Sequence, residues 1–202
     1  MSMRRANRGW GFTLIEMVVA LTIFSILVAL VAPTFRTWIC NAKVRSVADA
    51  LQNGVRLSQA ESLRRSRQVV FALTNSTTPQ TGTFTAVSNG VYWAIMTVPA
   101  MTDGSEIAAF VASGILGSTA NVQVNGPAEI CFNSVGRLVA NSTTGVTGGN
   151  CSAPTTGSPP MSTYVITLVG ADHPLQVGVA LGGQVHMCDP SQTLSAANPY
   201  GC

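Results

Sequence analysis

Charge and histidine are scarce in this chain. Aspartate, glutamate, lysine and arginine make up 9% of its 202 residues, and the two histidines are His173 and His186. So few titratable side chains exclude most acid–base and metal chemistry. A serine nucleophile needs a histidine beside it and a sharp strand-to-helix turn to present it, and no such elbow occurs. The glycines sit in loops with no helix following, which excludes a phosphate loop and a dinucleotide fingerprint. "HMCD" brings His186, Cys188 and Asp189 together, with His173 upstream, but no C-x-x-C or second close ligand pair accompanies it. No metal, no cofactor and no enzymatic activity are expected. The charge that exists is uneven. Net charge is +3, yet Arg4, Arg5 and Arg8 come first; residues 12–202 hold eight bases (11 − 3) against eight acids. Without an overall positive field, nucleic acid is not the partner that composition suggests.

What the chain has is one long apolar run, Phe12 to Ala32, broken by a single acid, Glu16. At about 1.5 Å per residue it reaches roughly 30 Å, the thickness of a bilayer core. It is too long for the apolar region of an ordinary secretory signal, and no A-x-A-like site follows. The three arginines hold the N-terminus in the cytoplasm and send the rest outward. Two readings follow: a plain signal anchor, or a segment cut on its cytoplasmic side so that the apolar helix stays in the mature protein. Glu16 bears on the choice. A carboxylate inside a membrane helix costs roughly 2.5–3.5 kcal/mol on insertion scales, so it needs water at the interface or a partner.

"RGWG" followed by "FTLIEMVVAL" resembles the class III signal of type IV prepilins. The resemblance implies that prepilin peptidase cuts between Gly11 and Phe12, that Phe12 is then N-methylated, and that Glu16 is the acid at the fifth mature position. The physical logic is that the new ammonium of one subunit needs a counter-charge in an apolar setting, which a neighbour's Glu16 supplies. Pro33 ends the run, and proline kinks or interrupts a helix; the resemblance reads it as a kink or melting point in the assembled filament.

From about residue 34 to 66 the chain reads as helix again. Val44, Val47, Ala48, Leu51 and Val55 form one apolar stripe, with Arg45, Asp49, Gln52, Arg56 and Gln59 on another face. Phe35, Trp38, Ile39 and Ala42 make a second apolar patch, which suits a helix that packs its own domain on one side and neighbouring subunits on the other. Glu61 faces Arg64 and Arg65 at favourable i,i+3 and i,i+4 spacing. Arg64, Arg65 and Arg67 gather at the helix C-terminus, where cations suit the dipole; with Arg137 they are also candidates for weak contacts to DNA or a partner.

"LSQAESLRRSRQVVFAL" resembles the helix-to-first-strand junction of the GspH/FimT family of minor pilins and pseudopilins, and "EICFNSVGRL" and the late "CDP" are similar to further parts of that family. Strands are expected at 68–74, 90–98, 121–124, 128–133, 138–140, 163–169, 175–180 and 184–187, separated by Gly, Ser, Thr, Asn and Pro clusters. The expected fold is α+β and pilin-like: a long N-terminal helix, membrane-spanning in its first half, packed on an antiparallel β-sheet domain. The divisions are 1–11 leader, 12–32 transmembrane and assembly helix, 33–66 periplasmic half of the helix, and 67–202 β domain.

A periplasmic domain permits disulfides. Sequence neighbourhood pairs Cys131 with Cys151 and Cys188 with Cys202, although four cysteines allow three connectivities; Cys40 is left over. By resemblance the partners are prepilin peptidase, other minor and major pilins or pseudopilins, the inner-membrane assembly platform, and membrane lipid before assembly. The expected location is the bacterial inner membrane, single pass, then a pilus or pseudopilus. Three functions fit the resemblance: a minor pilin that primes or caps a type IV pilus, a minor pseudopilin of type II secretion, and a pilus-tip DNA receptor. For the last, some members carry Gly-Arg-x-Arg before the "CDP". Here that place reads "GGQVH", with Gln184 and His186 where the arginines would be, so DNA is expected to bind weakly at best.

Overall fold

The computed structural model describes residues 11–81, 84–100, 106–117, 121–155, 157 and 160–202. Arg4, Arg5 and Arg8 lie outside the described residues, as do the side chains of residues 32 and 33. One helix, α1 (Leu14–Arg65), runs for 52 residues. Thr13 caps it by accepting a hydrogen bond from Glu16 N at 3.3 Å. Ser66 ends it in the left-handed conformation (φ 50°), with its N–H on Leu63 O, while Arg67 N donates to Ser62 O. α1 continues through Pro33. A proline removes one N–H from the ladder, a local loss that the flanking turns survive, and Thr34 Oγ1 adds a bond to Val31 O at 2.8 Å.

Among the described residues nine strands follow: β1 (Val69–Thr74), β2 (Tyr92–Thr97), β3 (Ala109–Ile115), β4 (Gln123–Asn125), β5 (Glu129–Phe132), β6 (Leu138–Val139), β7 (Met161–Thr167), β8 (Leu175–Ala180) and β9 (Val185–Cys188). They form two antiparallel sheets rather than one, in the orders β3-β2-β1-β5-β6 and β4-β7-β8-β9. β1 is central and buried on both faces, which is why it reads as the nearly continuous apolar run VVFALT. β3 was not among the expected strands. It is an edge strand of Ala, Ser and Gly with Phe110 and Ile115 partly exposed, so neither alternation nor β-branched enrichment marks it.

The main core lies between α1 and the two sheets. Val44, Val47, Ala48, Leu51 and Val55 of the helix meet Phe71, Leu73, Ile95 and Ile130 of the first sheet and Tyr164, Ile166, Val177 and Val179 of the second. Fully burying each Val, Leu, Ile or Phe among them is worth about 1.5–3 kcal/mol. A smaller cluster, including Val70, Ala72, Phe84, Met96, Cys131 and Cys151, fills the other face of the first sheet.

Polar links join the layers. Asn41 donates to Asp172 Oδ1 at 2.6 Å and accepts from Asp172 N and His173 N, fixing the β7–β8 turn to the helix. Gln59 Nε2 donates to Gly136 O at 3.0 Å in the β5–β6 turn. The β8–β9 turn abuts the same point: Gly183 has φ +91°, and a Cβ there would lie 2.1 Å from Gly136 O. Leu138 N donates to Leu181 O, so the two sheets touch at this junction.

Candidate functional site: the N-terminal helix and the groove beside β9

Gly11 precedes the helix in an open position with nothing within 4 Å of where its Cβ would be. Phe12 is 77% exposed. Every described side chain from Gly11 to Val31 is exposed, so this half of α1 contributes nothing to the core. It is apolar on all sides, the pattern of a helix whose surroundings are lipid or other helices. Among the described residues α1 alone is long and apolar enough to cross a membrane. Glu16 stands in its first turn, where the helix dipole favours an anion, and forms no ion pair among the described residues. Beyond Pro33, Phe35 and Trp38 stack with centroids 5.8 Å apart and remain exposed at 57% and 64%, on a different side from the buried stripe.

Residues 11–32 match the prokaryotic N-terminal methylation motif. The fold resembles three solved structures. One is the type IV minor pilin FimU of Pseudomonas aeruginosa, 15% identical, covering 75% of this chain and 92% of that one, with a TM-score of 0.49. Another is the minor pseudopilin EpsH from the type 2 secretion system of Vibrio cholerae, 11% identical, 74% and 99% covered, TM-score 0.42. The third is GspH of E. coli, 9% identical, 77% and 94% covered, TM-score 0.44. No curated protein sequence matches the chain.

The basic candidates at the far end of α1 are occupied. Arg64 grips Glu61 through two bonds, Nε to Oε1 at 2.9 Å and Nη2 to Oε2 at 2.6 Å, and Arg65 Nε reaches the same carboxylate at 2.8 Å. The Arg64 and Arg65 guanidiniums hold the Glu61 pKa down at about 2. Arg67 pairs with Glu106, whose carboxylate also accepts from Ala100 N at 2.9 Å; these two partners lower its pKa. Arg137 is exposed and has no acidic partner among the described residues.

Gln184 and His186 lie elsewhere, both exposed. His186 lines a groove of about 630 Å³ between α1 and β9, with Arg45, Asp49 and Arg56 on the helix side and His173 and Asp189 on the other. Arg56 and Arg45 were therefore the basic residues to associate with His186, and their i,i+4 spacing with Asp49 and Gln52 was the signal available. Of the two, Arg45 has an acidic partner and Arg56 a neutral backbone carbonyl. Arg45 pairs with Asp49 at 3.6 Å, and Arg56 Nη2 donates to Val185 O at 3.2 Å.

Disulfides join Cys131 to Cys151 and Cys188 to Cys202. The second removes Cys188 as a thiolate ligand beside His186. Asp189 instead organises the tail: its Oδ1 accepts from Ser191 N and Oγ, its Oδ2 lies 3.5 Å from His173 Nδ1, and its backbone pairs with Tyr200 O and Cys202 N. Cys40 keeps a free thiol, half-buried, its Sγ 3.9 Å from Val169 O.

Proposed function

We propose that this chain is a minor pilin of a type IV pilus, a structural subunit and a substrate of prepilin peptidase rather than an enzyme. The observation that carries the reading is the methylation motif over residues 11–32, set on a helix whose first half buries nothing of its own domain. In this reading residues 1–11 are the leader, the cut falls between Gly11 and Phe12, and Phe12 becomes N-methylated. The helix over 12–32 rests in the inner membrane with the domain from residue 67 in the periplasm. It then leaves lipid to pack among other pilins on the assembly platform. Glu16 pairs with the ammonium of a neighbouring subunit, an interaction strengthened by the apolar surroundings. Pro33 marks where the helix yields in the filament.

A minor pseudopilin of type II secretion shares the leader, the helix and the fold. The tail sequence "CDPSQTLSAANPYGC" resembles that of pilus-type members, which favours the pilus. A DNA-receptor role is disfavoured by Gln184 and His186 and by the pairing of Arg64, Arg65 and Arg67 with acids.

The test is mass spectrometry of membrane-extracted protein from cells with an active prepilin peptidase. An N-methylated Phe12 terminus is expected, and an intact Met1 or Ser2 terminus refutes the reading. Glu16→Ala should reduce recovery in sheared filaments without altering the β domain. Type II secretion genes beside this one, in place of other minor pilins, would decide for the second reading.

A further inference from the structure

Between Glu106 and Arg137 the sequence holds one charged residue, Glu129, and from 138 to 171 it holds none. Glu129 opens β5 opposite Ala72. Its side chain has no exposed surface, and neither carboxyl oxygen makes a hydrogen bond of ordinary geometry. An ionised carboxylate in such a place is costly, because nothing replaces the water it gave up.

The cover over Glu129 is the loop 141–151. Gly149 lies against the carboxyl: a Cβ there would sit 2.8 Å from its Cδ, Cγ and Oε1. Thr144 is buried in the same loop. The foot of the loop is held by the Cys131–Cys151 disulfide and by paired bonds between Asn141 and Cys151 at 3.0 and 2.9 Å. Its crown is held by Ala86 N to Thr147 O at 2.7 Å, by a bridge between Thr85 and Thr147, and by Val146 packed on the smaller apolar cluster.

Among the described residues the surroundings offer no compensating charge. β1, the 84–90 segment and the loop itself contain no titratable side chain apart from the bonded Cys151. From β7 comes Tyr164, completely buried with its hydroxyl unpartnered, a phenol whose pKa is itself raised by burial and by the Glu129 charge.

We propose that the 141–151 loop is a pH-operated lid, which closes over Glu129 as a neutral carboxylic acid and loosens when that acid loses its proton. Burial raises the Glu129 pKa, with the Thr144 hydroxyl acting weakly the other way, so the closed lid belongs to the acid side. Ionisation leaves a charge that only water can solvate, and water enters by lifting Thr144–Gly149. The disulfide keeps the foot and β5 in place, so the movement is confined to the crown and uncovers part of the smaller apolar cluster. This proposal is independent of the filament reading.

Hydrogen exchange of the full-length protein in detergent micelles tests it, from pH 4 to pH 8, with rates corrected for the intrinsic pH dependence. Peptides over 141–151 should lose protection as pH rises while β1 does not. Because burial raises the Glu129 pKa, the loss should continue as pH passes above the ordinary carboxylate range. Glu129→Gln, neutral throughout, should abolish the dependence. Gly149→Ala, whose methyl meets the carboxyl, should leave the loop unprotected even at pH 4. Constant protection in the wild type, an unchanged pH dependence in Glu129→Gln, or full acid-side protection in Gly149→Ala would each overturn it.

Discussion

Gly54→Ala should destabilise the β domain even though it improves the helix. Alanine is favoured over glycine in a helix interior by about 1 kcal/mol. Gly54, however, is buried and faces the first sheet. Its new Cβ would stand 3.0 Å from Phe71 Cε2, 3.0 Å from Trp93 Cε2 and 3.1 Å from Trp93 Cδ2. Neither ring can retreat. Phe71 is fully buried and stacks on Trp93 with centroids 6.0 Å apart. Trp93 backs onto Gly114 of β3, where a Cβ would fall 2.5 Å from Cζ2, so the indole already rests on backbone on its far side. Overpacking a filled core costs about 1–3 kcal/mol. Set against the propensity gain, the net loss should be about 1 kcal/mol. Gly114→Ala should cost more, since its contact is closer and no helix gain offsets it. The measurement is urea unfolding, followed by circular dichroism, of a truncated chain beginning at Thr34. On a Trp93→Phe background the larger indole is gone while Phe71 Cε2 still obstructs, so the Gly54→Ala penalty should shrink without vanishing, a coupling of about 0.5 kcal/mol or more in the double-mutant cycle. Gly54→Ala at or above wild-type stability, or an equal penalty on both backgrounds, would refute the packing argument.

Glu61→Gln should change stability mainly above about pH 4.5. The Glu61 pKa is depressed to about 2, so its contribution is present above the ordinary carboxylate value and is lost as pH falls towards 2; the difference in urea midpoint between wild type and variant at pH 6 and pH 2 measures it. Glu129→Gln should show the opposite slope. Its raised pKa means that stability is fully present below the ordinary value and is lost as pH rises, so the variant should gain on the wild type at pH 8. Cys202→Ser opens a loop with a sequence separation of 14, worth about 3 kcal/mol in the chain-entropy model. Leu194 and Tyr200 are 68% and 80% exposed, so the tail should fray first: faster proteolysis between 190 and 201, with a lower urea midpoint from the lost loop closure. In a gel shift at physiological salt, duplex DNA should bind weakly; low-micromolar binding abolished by His186→Ala would show that the groove beside β9 serves DNA after all.

The sequence by itself determined the elements whose signals are local. The apolar run after Gly11, the acid within it, the stripe from Val44 to Val55 and the Glu61–Arg64–Arg65 cluster all lie within a few turns of one helix. Helical geometry turns their spacing directly into a face or a contact. β1 and β8 were legible for a similar reason, being short apolar runs between turn residues. Tertiary structure alone decided what depends on distant segments meeting. β3 is a strand because it pairs with β2, not because its Ala, Ser and Gly favour one. The division into two sheets follows from which strands meet, and no spacing encodes it. Arg67 finds Glu106 across 39 residues, and the helix arginines reach the His186 groove across more than a hundred. Glu129 shows the limit most clearly. In sequence it is a solvent-loving residue at the start of a strand; only the loop folded over β5, tied down by a disulfide, takes its water away.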